Sequence, residues 1–221
     1  MEFRFGRVLS SLVQHLKQLN HPSLLDLGPT CGSNISYFIR LGCKVHADDY
    51  VTALLSSSSG RPKPKTGPQR AAAGRAAPAG SRRPRAGAPP VEHGSGKFQA
   101  VLCWDLFDYL PEDEALGVAH EIGRITADRG YVLALFGPAR GLEVRLPLRF
   151  RIQAEGHVQA ESIPGSSLRP HHVTNRHILQ LFSDFEIAQT ILLKNGVREM
   201  LLQKRAARKK PPSPPAMASL S

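Results

Sequence analysis

Residues 23–50 read SLLDLGPTCGSNISYFIRLGCKVHADDY. An apolar run leads into a turn holding Gly28 and Gly32, then an amphipathic segment, then a second apolar run that ends in Asp48 and Asp49. This pattern predicts a strand over Leu24–Leu27, a helix capped by Ser33 or Asn34 and ending near Leu41, and a strand over Lys44–Asp49. Nucleotide-type cofactors are held by such units. Small residues let the backbone approach the ligand, and a carboxylate one strand later takes the ribose hydroxyls. The glycines also suit a strand-to-helix turn with no ligand, and the Asp48–Asp49 pair tips the reading toward a cofactor.

Upstream, Val8, Leu9, Leu12, Val13, Leu16 and Leu19 recur at helical spacing, which predicts an amphipathic helix over residues 7–19 packed on a sheet. Downstream, Phe98–Leu102 reads as a buried strand and Pro111 opens a helix whose first turn carries Glu112, Asp113 and Glu114. That helix is expected to reach about Ala127, followed by a turn at Asp128-Arg129-Gly130 and a strand over Tyr131–Phe136. Residues 137–169 mix Pro, Arg and Gly with short alternating runs such as VRLPLRFRI, and read as a lid or as extra strands. A short helix capped by Thr174 or Asn175 precedes two β-type runs joined by Asn195-Gly196, a hairpin signal.

The net charge of +11 over 221 residues suggests a polyanion partner until it is located. Residues 56–97 hold nine Lys/Arg against one Glu, and residues 204–221 hold five with no acid, leaving −2 for the rest. Both segments are rich in Pro, Ala, Gly and Ser and lack the apolar residues a core needs, so they read as a disordered insert at 56–97 and a disordered tail at 205–221. Nucleic acid is a partner only through the basic insert, where its binding would be steeply salt-dependent. The remainder, 1–55 and 98–204, forms one domain. Three cysteines without a paired spacing, no apolar run of membrane length and a polar N-terminus fit a reducing, cytoplasmic setting without a membrane.

The order of elements resembles the class I S-adenosylmethionine-dependent methyltransferases. Asp26-Leu27-Gly28-Pro29-Thr30-Cys31-Gly32 aligns with that family's acid-x-Gly-x-Gly-x-Gly turn, with Thr30 at the middle glycine. Asp49, or Asp48 with a one-residue slip, matches the ribose-binding acid after the second strand. FQAVLCWDLFDYLP resembles the fourth strand and its exit, GYVLALFG the fifth, and the closing hairpin the antiparallel sixth and seventh. The insert occupies the place of the second helix and third strand, of which Thr52–Leu55 and Val91–His93 are the only remnants. The resemblance implies an α/β fold, Rossmann-like, with a mostly parallel sheet, helices on both faces and a C-terminal antiparallel hairpin.

It also implies S-adenosylmethionine as cofactor and methyl transfer to a small-molecule acceptor. The implied cofactor-binding residues are Asp26, Gly28, Thr30, Gly32, Asp48, Asp49, Trp104 and Asp105. Asp26 either contacts the ligand or braces the loop. Trp104 either offers a π face to a cation or is core, and Asp105 either counters an ammonium or shapes a turn. Catalytic residues are not assigned, since methyl transfer rests on positioning more than on a dedicated acid. A relative that keeps the fold but has lost activity is the alternative. A nicotinamide enzyme fits less well, because the turn is not Gly-x-Gly-x-x-Gly. His171, His172 and His177 lack a Cys or acidic cluster at zinc spacing, and are candidate proton acceptors.

Overall fold

The computed structural model describes residues 6–59, 93–138, 146–164 and 168–206. Helix α1 (Arg7–Lys17) precedes strand β1 (Ser23–Asp26), helix α2 (Gly32–Arg40), strand β2 (Lys44–Ala47) and helix α3 (Tyr50–Ser59). Strand β3 (Phe98–Trp104) then leads through a 3-10 turn (Leu106–Tyr109) to helix α4 (Glu112–Ile125) and strand β4 (Thr126–Phe136). Strands β5 (Leu148–Ala154) and β6 (His157–Ser162) pair with each other alone. Helix α5 (Asn175–Leu181) and strands β7 (Phe185–Leu192) and β8 (Arg198–Lys204) complete the described fold.

The main sheet runs β2-β1-β3-β4-β8-β7. The first four strands are parallel, β8 is antiparallel to β4, and β7 is antiparallel to β8. Alternate residues of the central strands feed two cores. Leu25, Val101, Cys103, Val132 and Ala134 face α3, α4 and α5. Leu24, Ala100, Leu102, Leu133 and Leu135 face α1, Phe38 of α2 and the β5–β6 hairpin. Helices therefore cover both faces, as a parallel sheet built from β-α-β units requires. The chain moves outward from β1 to β2 and then returns to β3 on the other side of β1. The crevice at the carboxyl ends of β1 and β3 is thus the topological switch point, the place where open α/β sheets bind ligands.

Several expectations shift. Helix α2 is capped at Cys31, two residues before Ser33 and three before Asn34, because Asn34 is buried and its amide is spent on β5. Helix α4 passes into β4 with no reverse turn. Thr126 already pairs with Phe98 and Ala100 next pairs with Tyr131, so residues 127–130 form a bulge, with Arg129 at φ 61°. Lys204 Nζ donates to the Thr126 carbonyl at 2.7 Å and holds this junction. Leu19 and Ile39, counted as apolar helix positions, are exposed. Residues 137–169 contain the β5–β6 hairpin, the second of the two readings.

Residues 56–59 of the expected insert form the end of α3, and His93–Lys97 lead into β3. Residues 60–92, with Val91 among them, and the tail from 207 lie outside the described residues. No helix of the described chain is long and apolar enough to cross a membrane.

One buried carboxylate was not anticipated. Glu199 on β8 accepts hydrogen bonds from the Gly6 and Val8 N–H groups at 3.1 and 3.3 Å. It supplies the first turn of α1 with the acceptors that its own N-cap, Gly6, lacks. Burial pushes its pKa up, against the lowering pull of those two N–H donors.

Candidate cofactor site

Asp26 is the last residue of β1 and is 4% exposed. Its Oδ1 accepts the Gly28 N–H at 3.0 Å and the Trp104 indole N–H at 2.7 Å. Burial raises its pKa to about 6, although these two hydrogen bonds and an interaction with the Asn34 side chain favour the charged form. Gly28 lies so close to Trp104 that a Cβ there would sit 2.4 Å from the indole Cδ1. Only glycine fits under that ring. Gly32 opens α2 with open space around its missing Cβ, so packing does not demand a glycine there.

The two acids after β2 diverge. The Asp48 N–H continues the ladder by donating to the Asp26 carbonyl at 2.9 Å. Its side chain meets His93 Nε2 at 2.8 Å. Asp49 turns toward the glycine turn, where its Oδ2 accepts the Thr30 N–H at 3.1 Å. Its Oδ1 accepts the Thr52 N–H at 2.9 Å, in the manner of a cap on α3. Asp49 therefore ties the turn after β1 to the helix after β2. Each of its oxygens takes one of these backbone donors, and a carboxylate oxygen can accept two.

At the end of β3, Trp104 is 2% exposed and adopts φ 49°, the left-handed region that bulky residues avoid. Its indole stacks on Phe150 of β5, with centroids 5.0 Å apart and planes 10° off parallel. Asp105 is buried, with Tyr109 Oη 3.4 Å from its Oδ2. Asp108 and Tyr109 are buried in the 3-10 turn that precedes α4. The Gly137 N–H donates to Asp108 Oδ2 at 2.8 Å, which fixes this turn to the end of β4.

Asn34 and Phe150 escaped the sequence reading. The Asn34 amide donates to the Phe150 carbonyl and accepts the Ile152 N–H, both at 2.8 Å. The side chain thus behaves as one residue of a neighbouring strand and fixes the hairpin over α2. An asparagine on the inner side of an amphipathic helix was the available signal. Phe150 carried none, since its partner lies 46 residues away in sequence.

A second feature lies at the same end of the sheet. A cleft of about 460 Å³ opens between the 3-10 turn, α4 and α5. Phe107, Leu110 and Val173 are among its apolar lining, and His171, His172 and His177 all line it. The three histidines singled out from sequence are thus brought together. Among the described residues no group of three His, Cys, Asp or Glu is placed to hold a metal ion. Burial pushes the thiols of Cys43 and Cys103 up, as for packing residues.

No protein-family model and no curated protein matches the sequence. Solved structures match the fold. An S-adenosylmethionine-dependent methyltransferase from Methanosarcina mazei aligns with a TM-score of 0.51 at 13% identity, over 88% of this chain and 98% of its own. Another, from Mesorhizobium loti, gives 0.51 at 12% identity, over 88% and 96%. The fold is that of the class I S-adenosylmethionine-dependent methyltransferases. In that frame β3 and β4 hold the places of the family's fourth and fifth strands, and β7 and β8 those of the sixth and seventh. Among the described residues no strand pairs with the outer edge of β2, where the third would lie.

Proposed function

We propose that the chain is a methyltransferase that binds S-adenosylmethionine at the switch point and methylates a small-molecule acceptor. The observation that carries this reading is the meeting of Asp26, Gly28, Asp49, Trp104 and Asp105 at the carboxyl ends of three adjacent parallel strands. The donor set suits the cofactor. Asp49 accepts the ribose hydroxyls, and Asp48, held by His93, steadies the same loop. Of the N–H groups in the turn, those of Gly28 and Thr30 are spent on Asp26 and Asp49. The Gly32 and Ser33 N–H groups, the first two of α2, face the cofactor carboxylate, while that of Asn34 is spent on the Cys31 carbonyl. Asp26 and Asp105 counter its ammonium. When bound, the cofactor supplies a methyl group already activated by a sulfonium.

The cleft beside the 3-10 turn supports a small organic acceptor. Its volume lies in the range of ligand pockets, and its lining joins an apolar floor to three imidazoles that can take a proton from an acceptor hydroxyl or amine. The three free thiols support a cytoplasmic location.

A second reading, a binding or scaffold protein without turnover, is favoured by one observation: the Trp104 indole already holds Asp26 Oδ1. Calorimetric titration with S-adenosylhomocysteine tests both. The samples are the full chain, Asp49→Ala, and a version with residues 60–92 replaced by a short Gly/Ser linker. Micromolar binding lost in Asp49→Ala supports the cofactor site and justifies an acceptor screen. A folded full chain and a folded Trp104→Met variant that both give no heat of binding would sink the cofactor reading.

A further inference from the structure

Trp104, Phe150 and Asn34 form a chain of contacts that the cofactor reading does not use. The indole is pinned along its edge by Asp26 and covered on one face by Phe150. Phe150 is in turn held through its own carbonyl by the Asn34 amide. The hairpin tip is tied down as well, since Gln14 and Lys17 of α1 reach Glu155 at 2.6 and 2.8 Å. The indole so held stands over Gly28, the residue whose backbone a cofactor must approach.

Resting on the cofactor reading, we propose that the Trp104 indole is an internal plug. It closes the methionine end of the cradle in the free chain, and the β5–β6 hairpin latches it. Three observations carry this. The indole N–H takes the Asp26 oxygen that a cofactor ammonium needs. The ring lies within contact distance of the Gly28 backbone, leaving no layer for a ligand between them. Trp104 also pays for its position with a left-handed backbone, which costs a bulky residue free energy unless its side-chain contacts hold it there. Binding then requires the indole to leave Asp26. Because Phe150 covers it, the hairpin must give at the Asn34 clamp. The apparent affinity is reduced by the fraction of chains with the plug open, and weakening the plug restores it.

The chain has one tryptophan, so its fluorescence reports the plug directly. The full chain is titrated with S-adenosylhomocysteine, following Trp104 emission and acrylamide quenching, with calorimetry in parallel. Saturation is expected to shift the emission to the red and to raise quenching. Trp104→Met, which keeps an apolar side chain but removes the N–H and the stack, is expected to tighten binding by about tenfold. Asn34→Ala, with Trp104 intact, is expected to raise quenching before any ligand is added.

If wild type binds but its emission and quenching stay unchanged at saturation, or Trp104→Met binds no more tightly, the plug is refuted and the cofactor site stands. If neither wild type nor Trp104→Met binds, the cofactor reading falls and the plug with it. Should Trp104→Met fail to fold, the wild-type emission and quenching decide alone.

Discussion

Asp26→Asn isolates the cost of the carboxylate at the heart of the site. The carboxyl has an ordinary pKa of 3.8 and is raised to about 6 in the fold, chiefly by burial. About two units correspond to roughly 3 kcal/mol of preference for the protonated form. Because the folded-state pKa is raised, the folded state binds the extra proton between pH 4 and 6. The contribution of Asp26 to stability is therefore greatest below about pH 4, falls as the pH rises to about 6, and levels off above. Asparagine keeps the Oδ1 acceptor that serves both the Gly28 N–H and the Trp104 indole, and it cannot ionise. Its added NH2 group needs a partner, which offsets about 1 kcal/mol. The variant is expected to exceed wild type by about 1–3 kcal/mol at pH 7.5 and to lose that advantage at pH 4. Urea unfolding followed by far-UV circular dichroism at several pH values measures this, with no reliance on Trp104 emission. A constant difference between variant and wild type from pH 4 to 7.5 would show that Asp26 does not carry the penalty.

Asp49→Ala removes a cap and a tether, and should cost about 1 kcal/mol in thermal unfolding. The same variant should lower S-adenosylhomocysteine affinity by tenfold or more, about the worth of one charge-assisted hydrogen bond, while Asp48→Ala, whose carboxylate faces His93, loses less. Glu199→Ala strands two N–H groups at the start of α1. A loss of about 2–3 kcal/mol in urea unfolding, with faster amide exchange in α1, is expected. Gly28→Ala places a Cβ against the indole and should destabilise by about 1–3 kcal/mol. Adding Trp104→Met should recover most of this, and additive effects of the two substitutions in a double-mutant cycle would contradict the contact.

The parts of the fold legible in the sequence are those written in local pattern. Apolar runs located β1, β3 and the Tyr131–Phe136 portion of β4, helical periodicity located α1, and Asn195-Gly196 marked the closing hairpin, because each of these signals lies in consecutive residues. The Asp49-versus-Asp48 ambiguity was irreducible at that level. A shift of one residue moves a side chain to the opposite side of its strand, and only the bond to Thr30 shows which acid faces the turn. The cap of α2 was misplaced because asparagine favours caps as a type, while here its amide serves a strand 116 residues away. The bulge at 127–130 was read as a turn because Asp-Arg-Gly has turn chemistry, and the pairing of Thr126 with Phe98 overrides it.

The buried carboxylates of Asp26 and Glu199 both have raised pKa values, and their surroundings separate their roles. Glu199 divides its two oxygens between two helical N–H groups that have no other acceptor, so its burial is explained by α1 alone. Asp26 presents one oxygen to two donors, one of them from a tryptophan in a strained backbone conformation. A sheet needing only a turn after β1 would gain from a neutral residue at 26 and a smaller one at 104. Buried charge, left-handed backbone and a buried asparagine in the first turn of α2 all meet instead at the crevice between β1 and β3. Local costs gathered at one place, where the topology also puts a ligand crevice, are the pattern expected of a site kept for binding more than for stability, and they support the proposed cofactor site. The same physics explains why the site closes on itself in the free chain: a carboxylate forced into a dry crevice takes the nearest donor, and here that donor is Trp104.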